Sequence, residues 1–474
     1  MHMIGIGGSG LSAIARVLVE SGYKVTGSDQ LVTLTTRSLE ESGIQVFIGH
    51  QPENVAGADL VIRSSAIPDN NVEVQAARSA DIPVVKRADF LSQWMVDRYG
   101  IAVAGTHGKT TTTAMISWML SESGQDPTYI IGGVSKNLGT NARSGKSPLF
   151  VIEADEYDGM FLGLQPRIAV VTNIDYDHID CYPTREDYYL AFREFTRHLG
   201  TSGILLACLD DPGAERLLVD AIELGLKAFA YGIHTETVAE HQKRDYRAGN
   251  LTLNNYGGIT FDAFVPKSKS ESRTSWKIAL QVPGVHNIRN ALAAFAVADL
   301  LGLPLTQAAN ALAEYQGTAR RFEVRGEAEG VTVIDDYAHH PAEIQATLAA
   351  AKARYPKSSL WAVWQPHTYS RTQAFFNEFT NSFKDADHVV VTEVYAAREP
   401  VLAGFSARQI VSAMDHPDAH FLPDFAQATD FLLEQMAPGD VLIVLSAGDA
   451  TQISDQIIAS NTGFKISKQI PGDR

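Results

Sequence analysis

Ile101-Ala-Val-Ala-Gly105-Thr106-His107-Gly108-Lys109-Thr110-Thr111 is the stretch from which the fold can be read. A short apolar run, two glycines and a hydroxyl-rich helix start form the pattern of a buried strand that turns sharply into a helix. Gly105 and Gly108 lack a Cβ, so the backbone between them can curl and aim its N–H groups at anionic oxygens. Lys109 adds a point charge and Thr110 offers a hydroxyl to Mg²⁺. The helix behind them, with Met115, Ile116, Met119 and Leu120 on one face, directs its positive end at the same place. The spacing Gly-x-x-Gly-Lys-Thr is two residues tighter than the general phosphate-binding loop.

Upstream, Gly5-Ile-Gly7-Gly8-Ser9-Gly10 forms a Gly-x-Gly-x-x-Gly turn before a helix over 11–20, whose start faces a diphosphate. A strand over 23–26 ends in Gly27-Ser28-Asp29, an acid at the point where a Rossmann unit holds a ribose. Strands over 45–47, 60–63 and 84–85 complete a small parallel α/β unit by about residue 96. Ser64-Ser65-Ala66 follows a strand's carboxyl end, where such sheets place ligands. The fingerprint implies a nucleotide diphosphate, and by itself leaves an NAD-dependent oxidoreductase open as an alternative.

Downstream, a buried strand over 149–152 ends in Glu153-Ala-Asp155-Glu156-Tyr157-Asp158, four carboxylates in six residues, which beside a phosphate loop reads as Mg²⁺ ligation. A strand over 168–171 runs into Thr172-Asn-Ile-Asp175-Tyr-Asp177-His178, whose histidine is a further candidate metal ligand. The polar stretches 240–249 and 267–274 read as solvated turns. Gly284-Val-His286-Asn287-Ile-Arg-Asn290 opens an apolar helix, and its His and Asn can cap that helix or read a purine edge. Thr318-Ala-Arg320-Arg321-Phe-Glu323 marks the passage into a last segment of alternating strands (331–334, 360–363, 388–391, 441–445) and helices (343–354, 373–384, 425–436). Two of its strand ends look chemical: Asp335-Asp336-Tyr-Ala-His339-His340-Pro341 and Trp364-Gln365-Pro-His367-Thr368-Tyr-Ser370-Arg371.

At 474 residues the length suits about three domains. A formal charge of −16 opposes nucleic-acid or anionic-membrane binding, so an anionic substrate must be held by local Lys, Arg and backbone donors. Cys181 and Cys208 make no redox or ligand pattern. No stretch approaches the roughly 18 apolar residues of a membrane span. These features predict a cytoplasmic protein without membrane or nucleic-acid partners.

In this order, Gly5 to Gly10, Ser64 to Ile67, Ala104 to Thr112, Glu153 to Glu156, Asn173 to His178, His286-Asn287, Arg320 to Glu323, Asp335 to Pro341 and Gln365 to His367 resemble the Mur ligases of peptidoglycan precursor synthesis, nearly end to end. The resemblance implies a three-domain α/β enzyme. A Rossmann-like N-terminal domain (1–97) takes a UDP-sugar, a central P-loop ATPase-type domain (98–317) takes ATP, and a Rossmann-like C-terminal domain (318–474) closes over both. It further implies an ATP-dependent ligase that joins L-alanine to UDP-N-acetylmuramate through an acyl phosphate, with ATP and Mg²⁺ required and a monomer or homodimer as the working unit. A murein-tripeptide recycling ligase is the alternative within the family. By resemblance, Gly105, Thr106, His107, Gly108, Lys109, Thr110, Thr111, His286, Asn287, Asn290, Arg321 and Asp336 serve ATP, while Thr110, Glu153 and His178 hold Mg²⁺. Gly7, Gly8, Ser9, Gly10, Asp29, Ser64, Ser65 and Ala66 serve the uridine diphosphate end, and Lys109, His339, His340 and Arg371 are the catalytic set.

Three positions depart from the family's pattern. Thr368 stands where an arginine usually follows Gln-Pro-His, leaving Arg371 as the nearby arginine for the amino acid carboxylate. Arg193 occupies the position where several members carry a carbamylated lysine. Tyr157 replaces a common serine, a feature shared with the tripeptide-adding enzymes.

Overall fold

Short apolar runs that end in glycine, acid or hydroxyl residues build three sheets. The computed structural model describes residues 1–233, 245–266, 274–397 and 399–460. The first sheet has five parallel strands in the order Gln45–Ile48, Thr26–Asp29, His2–Ile4, Val61–Arg63, Val84–Lys86. Because the first strand is central and the chain leaves it in opposite directions, a crevice opens at its carboxyl end between Gly5–Gly10 and Ser64–Ala66. The second strand lies at Thr26–Asp29, three residues later than the expected 23–26: Gly27 fits there because a Cβ would meet Met3 O at 2.7 Å and Ile6 at 2.5 Å.

The central sheet has ten strands. Tyr99–Ala104 pairs in parallel with Leu149–Glu153 on one side and Ile168–Val171 on the other, so the three chemical strand ends of the sequence emerge side by side. The helix Lys109–Glu122 buries Met115, Ile116, Met119 and Leu120, but also Thr112, Thr113, Ala114 and Ser117. It is covered on more than one face because the Ala-rich helix Val285–Leu300 packs against it. The expected turn at 240–249 is a strand in its described part: Asp245–Leu253 pairs with Ile259–Phe264. Residues 240–244 and 267–273 of the two polar stretches lie outside the described residues.

The third sheet runs Glu323–Ala328, Val331–Asp336, Val441–Leu445, Leu360–Trp364, His388–Val391, Ala419–Phe421, with its first pair antiparallel and the rest parallel. The expected helix over 373–384 is instead two short ones, Tyr369–Ala374 and Phe376–Thr380. Thr368 starts the first by capping Arg371 N, and Phe375, Phe379 and Phe383 turn into the core on one side. Lys136 N donates to Gly317 O (3.0 Å) and Ala319 N to Val134 O (2.8 Å), fixing the passage from the second sheet to the third. Among the described residues no helix is long and apolar enough to cross a membrane.

Candidate functional site

The phosphate loop takes its shape from two glycines with positive φ, Gly105 (+134°) and Gly108 (+80°). A Cβ at Gly105 would meet Thr172 Oγ1 at 2.0 Å and one at Gly108 would meet Asn290 Oδ1 at 2.8 Å, so the neighbouring strand end and helix require both. The loop is held from outside: His107 N donates to Asn173 Oδ1 (2.8 Å), and Thr106 Oγ1 to Asp175 O (2.6 Å). Lys109 Nζ donates to Gly105 O (2.5 Å), Thr106 O (3.0 Å) and Glu156 Oε1 (2.9 Å). Burial works against this ammonium, but Glu156 and Asp155 hold its pKa above the ordinary lysine value.

Oxygen and imidazole donors flank it. Thr110 Oγ1 donates to Glu153 Oε1 (3.0 Å), and Gly132 N to Glu153 Oε2 (2.6 Å). His178, in the left-handed region at φ +54°, places Nε2 3.1 Å from Glu156 Oε1. Burial raises the Glu153 carboxyl above its usual range, whereas Lys109 and His178 outweigh burial at Glu156 and lower it. Thr110, Glu153 and His178 line the same cleft, and a hydroxyl, a carboxylate and an imidazole are donor types that a divalent cation takes.

The third sheet presents its own strand ends to this wall. Lys109, Glu153 and His178 line one cleft of about 960 Å³ together with Arg321, Tyr337, His339, His367 and Arg371, and with Gly8, Ser9, Gly10, Ser64, Ser65 and Ala66 of the first sheet. Ion pairs span the cleft: His107 Nδ1 lies 3.2 Å from Glu343 Oε1, and Arg371 pairs with Asp177. Burial disfavours charge on His107, yet Asp175 and Glu343 lift its pKa to about 9. A second cavity, about 310 Å³, is lined by Thr111, His286, Asn287, Asn290, Asp336 and Phe322 among others. Burial, then Arg289, lowers the His286 pKa to about 4, which leaves a neutral ring at pH 7.

Residues 1–99 match the Mur ligase family catalytic domain, 103–298 the Mur ligase middle domain and 320–448 the Mur ligase glutamate ligase domain. The chain belongs to the Mur ligase family. It is 43% identical over 468 residues to the UDP-N-acetylmuramate--L-alanine ligase of Roseiflexus sp. (strain RS-1), covering 96% of this chain and 98% of that one. Among solved structures it is similar to the UDP-N-acetylmuramate-alanine ligase of Thermotoga maritima (TM-score 0.78, 28% identity, 97% and 98% covered). It is also similar to a murein peptide ligase of Psychrobacter arcticus (TM-score 0.69, 25% identity, 97% and 98% covered). The three-domain architecture implied by the sequence is therefore that of the Mur ligase fold, and the oxidoreductase alternative gives way.

Several of the expected site residues are already engaged by neighbours within the chain. Asp29 is outside the lining of the main cleft, and its Oδ2 accepts from Gly7 N (2.9 Å), so the acid braces the glycine turn. Arg371 is 8% exposed and already engaged by Asp177, rather than presented as an open guanidinium. His340 caps the helix Pro341–Arg354 and packs between His107 and Phe375, while His339 lines the cleft, its pKa lowered to about 3 chiefly by burial. Asn290 is committed to Thr112 and Asn287, buttressing the loop from behind. Asp336 accepts from Phe322 N and Ala338 N, both at 2.7 Å, and burial raises it to about 6. Arg193 lies 3.2 Å from Asp220 and does not line either cavity. Glu156, Asp177 and Glu343 pair with Lys109, Arg371 and His107, and sequence reading gave none of the three a role of its own.

Proposed function

We propose that this chain is an ATP-dependent ligase that joins L-alanine to UDP-N-acetylmuramate in peptidoglycan precursor synthesis. The observation that carries the reading is the meeting of Lys109, Glu153 and His178 with third-domain cations and the first-domain glycine turn in one cleft. We infer domain limits at 1–97, 98–317 and 318–474, supported by the three sheets, and a cytoplasmic monomer or homodimer.

A carboxylate is a poor electrophile, so its oxygen first attacks the γ-phosphorus of ATP, giving an acyl phosphate and ADP. The amine then attacks the acyl carbon, a tetrahedral intermediate forms, phosphate leaves, and the amine's proton passes to solvent or a neighbouring base. Both steps gather negative charge on clustered oxygens. Lys109, the N–H groups of Gly105–Thr111 and Arg321 stabilise that charge with dipoles already in place. Thr110, Glu153 and His178 would hold Mg²⁺, which supplies further charge neutralisation when bound. His286 and Asn287 line the smaller cavity as the adenine side, with Thr111 and Asp336 nearby. Gly8–Gly10 and Ser64–Ala66 serve the uridine diphosphate, braced by Gly7 and Asp29. His339 lines the cleft on the amine's side, His340 positions the helix behind it, and Arg371, braced by Asp177, is the nearby arginine for the amino acid's carboxylate. Phosphate release with L-alanine against release with a muramyl-type tripeptide tests the choice of amine. Preference for alanine supports this reading, and preference for the tripeptide replaces it with the recycling ligase.

A further inference from the structure

Two imidazoles and a carboxylate converge where the second and third domains meet. His107 comes from the phosphate loop, Asp175 from the segment after the strand Ile168–Val171, and His340 from the start of the helix Pro341–Arg354. Asp175 Oδ2 stands 3.3 Å from His107 Nε2 and 3.7 Å from His340 Nδ1, and one donor atom from each of the three lies within 4.8 Å of the others. Nitrogen and oxygen ligands of a tetrahedral ion lie about 3.3 Å apart, so the trio needs little movement to close on one. His340 is not satisfied as a core histidine. Its side chain is 4% exposed, Nδ1 receives Ala342 N at a long 3.4 Å, and Nε2 has no hydrogen-bond partner among the described residues. His107 turns its other nitrogen, Nδ1, to Glu343 Oε1 at 3.2 Å, the carboxylate–imidazole arrangement that orients a metal-bound histidine and leaves Nε2 facing Asp175. His107, Asp175 and Glu343 also line the smaller cavity, which gives a cation and its waters a way in.

We propose that His107, Asp175 and His340 form a site for a divalent cation of the zinc class, bridging the second and third domains and sharing no residue with Thr110, Glu153 and His178. Two imidazoles favour such an ion over Mg²⁺, which prefers oxygen donors. The incoming ion replaces the proton that Asp175 and Glu343 hold on His107. Once bound, it ties the third domain to the phosphate loop and slows a reaction whose cleft must open to release product. Binding is independent of the ligase reading; inhibition rests on it.

Calorimetric titration of Zn²⁺ into the full chain in excess Mg²⁺ tests it, with Co²⁺ absorption spectra reporting the ligand geometry. Wild type takes up Zn²⁺ in the micromolar range or tighter and shows the intense visible bands of four-coordinate Co²⁺. Asp175→Asn and His340→Asn, the latter keeping a helix cap, each abolish those bands and weaken Zn²⁺ by at least about 100-fold, while Glu343→Gln, which removes only the outer partner of His107, weakens it about 10–100-fold. His178→Ala leaves Zn²⁺ binding unchanged, and so does His420→Ala, which breaks the separate His388–Asp418–His420 group at the edge of the third sheet. Zn²⁺ binding unchanged in Asp175→Asn and His340→Asn, or in Glu343→Gln should those two fail to fold, overturns the site. So does binding lost in His178→Ala, or no binding by wild type. Zn²⁺ bound there without slowing amide formation overturns the inhibitory role alone, and no amide formation by the zinc-free protein overturns the ligase reading instead.

Discussion

Arg371 of the third domain grips Asp177 of the second in a buried two-point contact, Nε to Oδ1 at 2.9 Å and Nη2 to Oδ2 at 3.1 Å. Burial opposes charge on Asp177, but Arg371 and His178 hold its carboxyl far below the usual range. Stripping one partner from such a pair leaves an uncompensated buried charge. Asp177→Asn should therefore lower unfolding free energy by about 3 kcal/mol, read from urea melts at pH 7. A loss under about 0.5 kcal/mol would mean that the contact does not hold the domains together.

Lys109→Ala should reduce kcat for amide formation by at least about 100-fold, the effect of removing one preorganised donor from developing charge. Glu156 keeps Tyr188 and His178 as partners, so far-UV circular dichroism should match wild type. Turnover at wild-type rate would remove Lys109 from the active site.

Gly108→Ala combines a left-handed backbone at φ +80° with a Cβ 2.8 Å from Asn290 Oδ1. The backbone alone costs about 1–2 kcal/mol. ATP affinity, followed by titration, should fall by about tenfold or more because the N–H groups no longer point at the phosphates. An unchanged ATP affinity would show that the loop tolerates a side chain there.

His107 links stability to alkaline pH. Its folded pKa, about 9, lies above its ordinary value of 6.5, so its contribution is complete below about pH 6.5 and disappears as pH rises through 9. Wild type should lose stability relative to His107→Asn across that window. Parallel stability curves for the two proteins would contradict the His107–Glu343 and His107–Asp175 pairing.

Strand ends were legible in the sequence because each chemical cluster directly follows an apolar run: Gly105 after Ala104, Glu153 within Leu149–Glu153, Asp336 within Val331–Asp336. Pairings were not, since strand order decides them. Nothing in Glu156 or Glu343 as letters says that one will meet Lys109 and the other His107 across a domain boundary. Arg371 shows the same limit. Its nearness to Gln365-Pro-His367 was visible, while its capture by Asp177, 194 residues away, depends on how the third domain docks. Gln365 itself proves structural, its Oε1 accepting from Ser446 Oγ (2.7 Å), Asp449 N (3.0 Å) and Ala450 N (3.1 Å).

UDP-N-acetylmuramate labelled with oxygen-18 in both carboxylate oxygens gives the most direct test of a single cleft in which sugar acid, triphosphate and amine meet. With ATP, Mg²⁺ and L-alanine present, one labelled oxygen should appear in inorganic phosphate and the other remain in the new amide. Product in which phosphate carries no label, or no product with alanine, serine or glycine, would contradict the account.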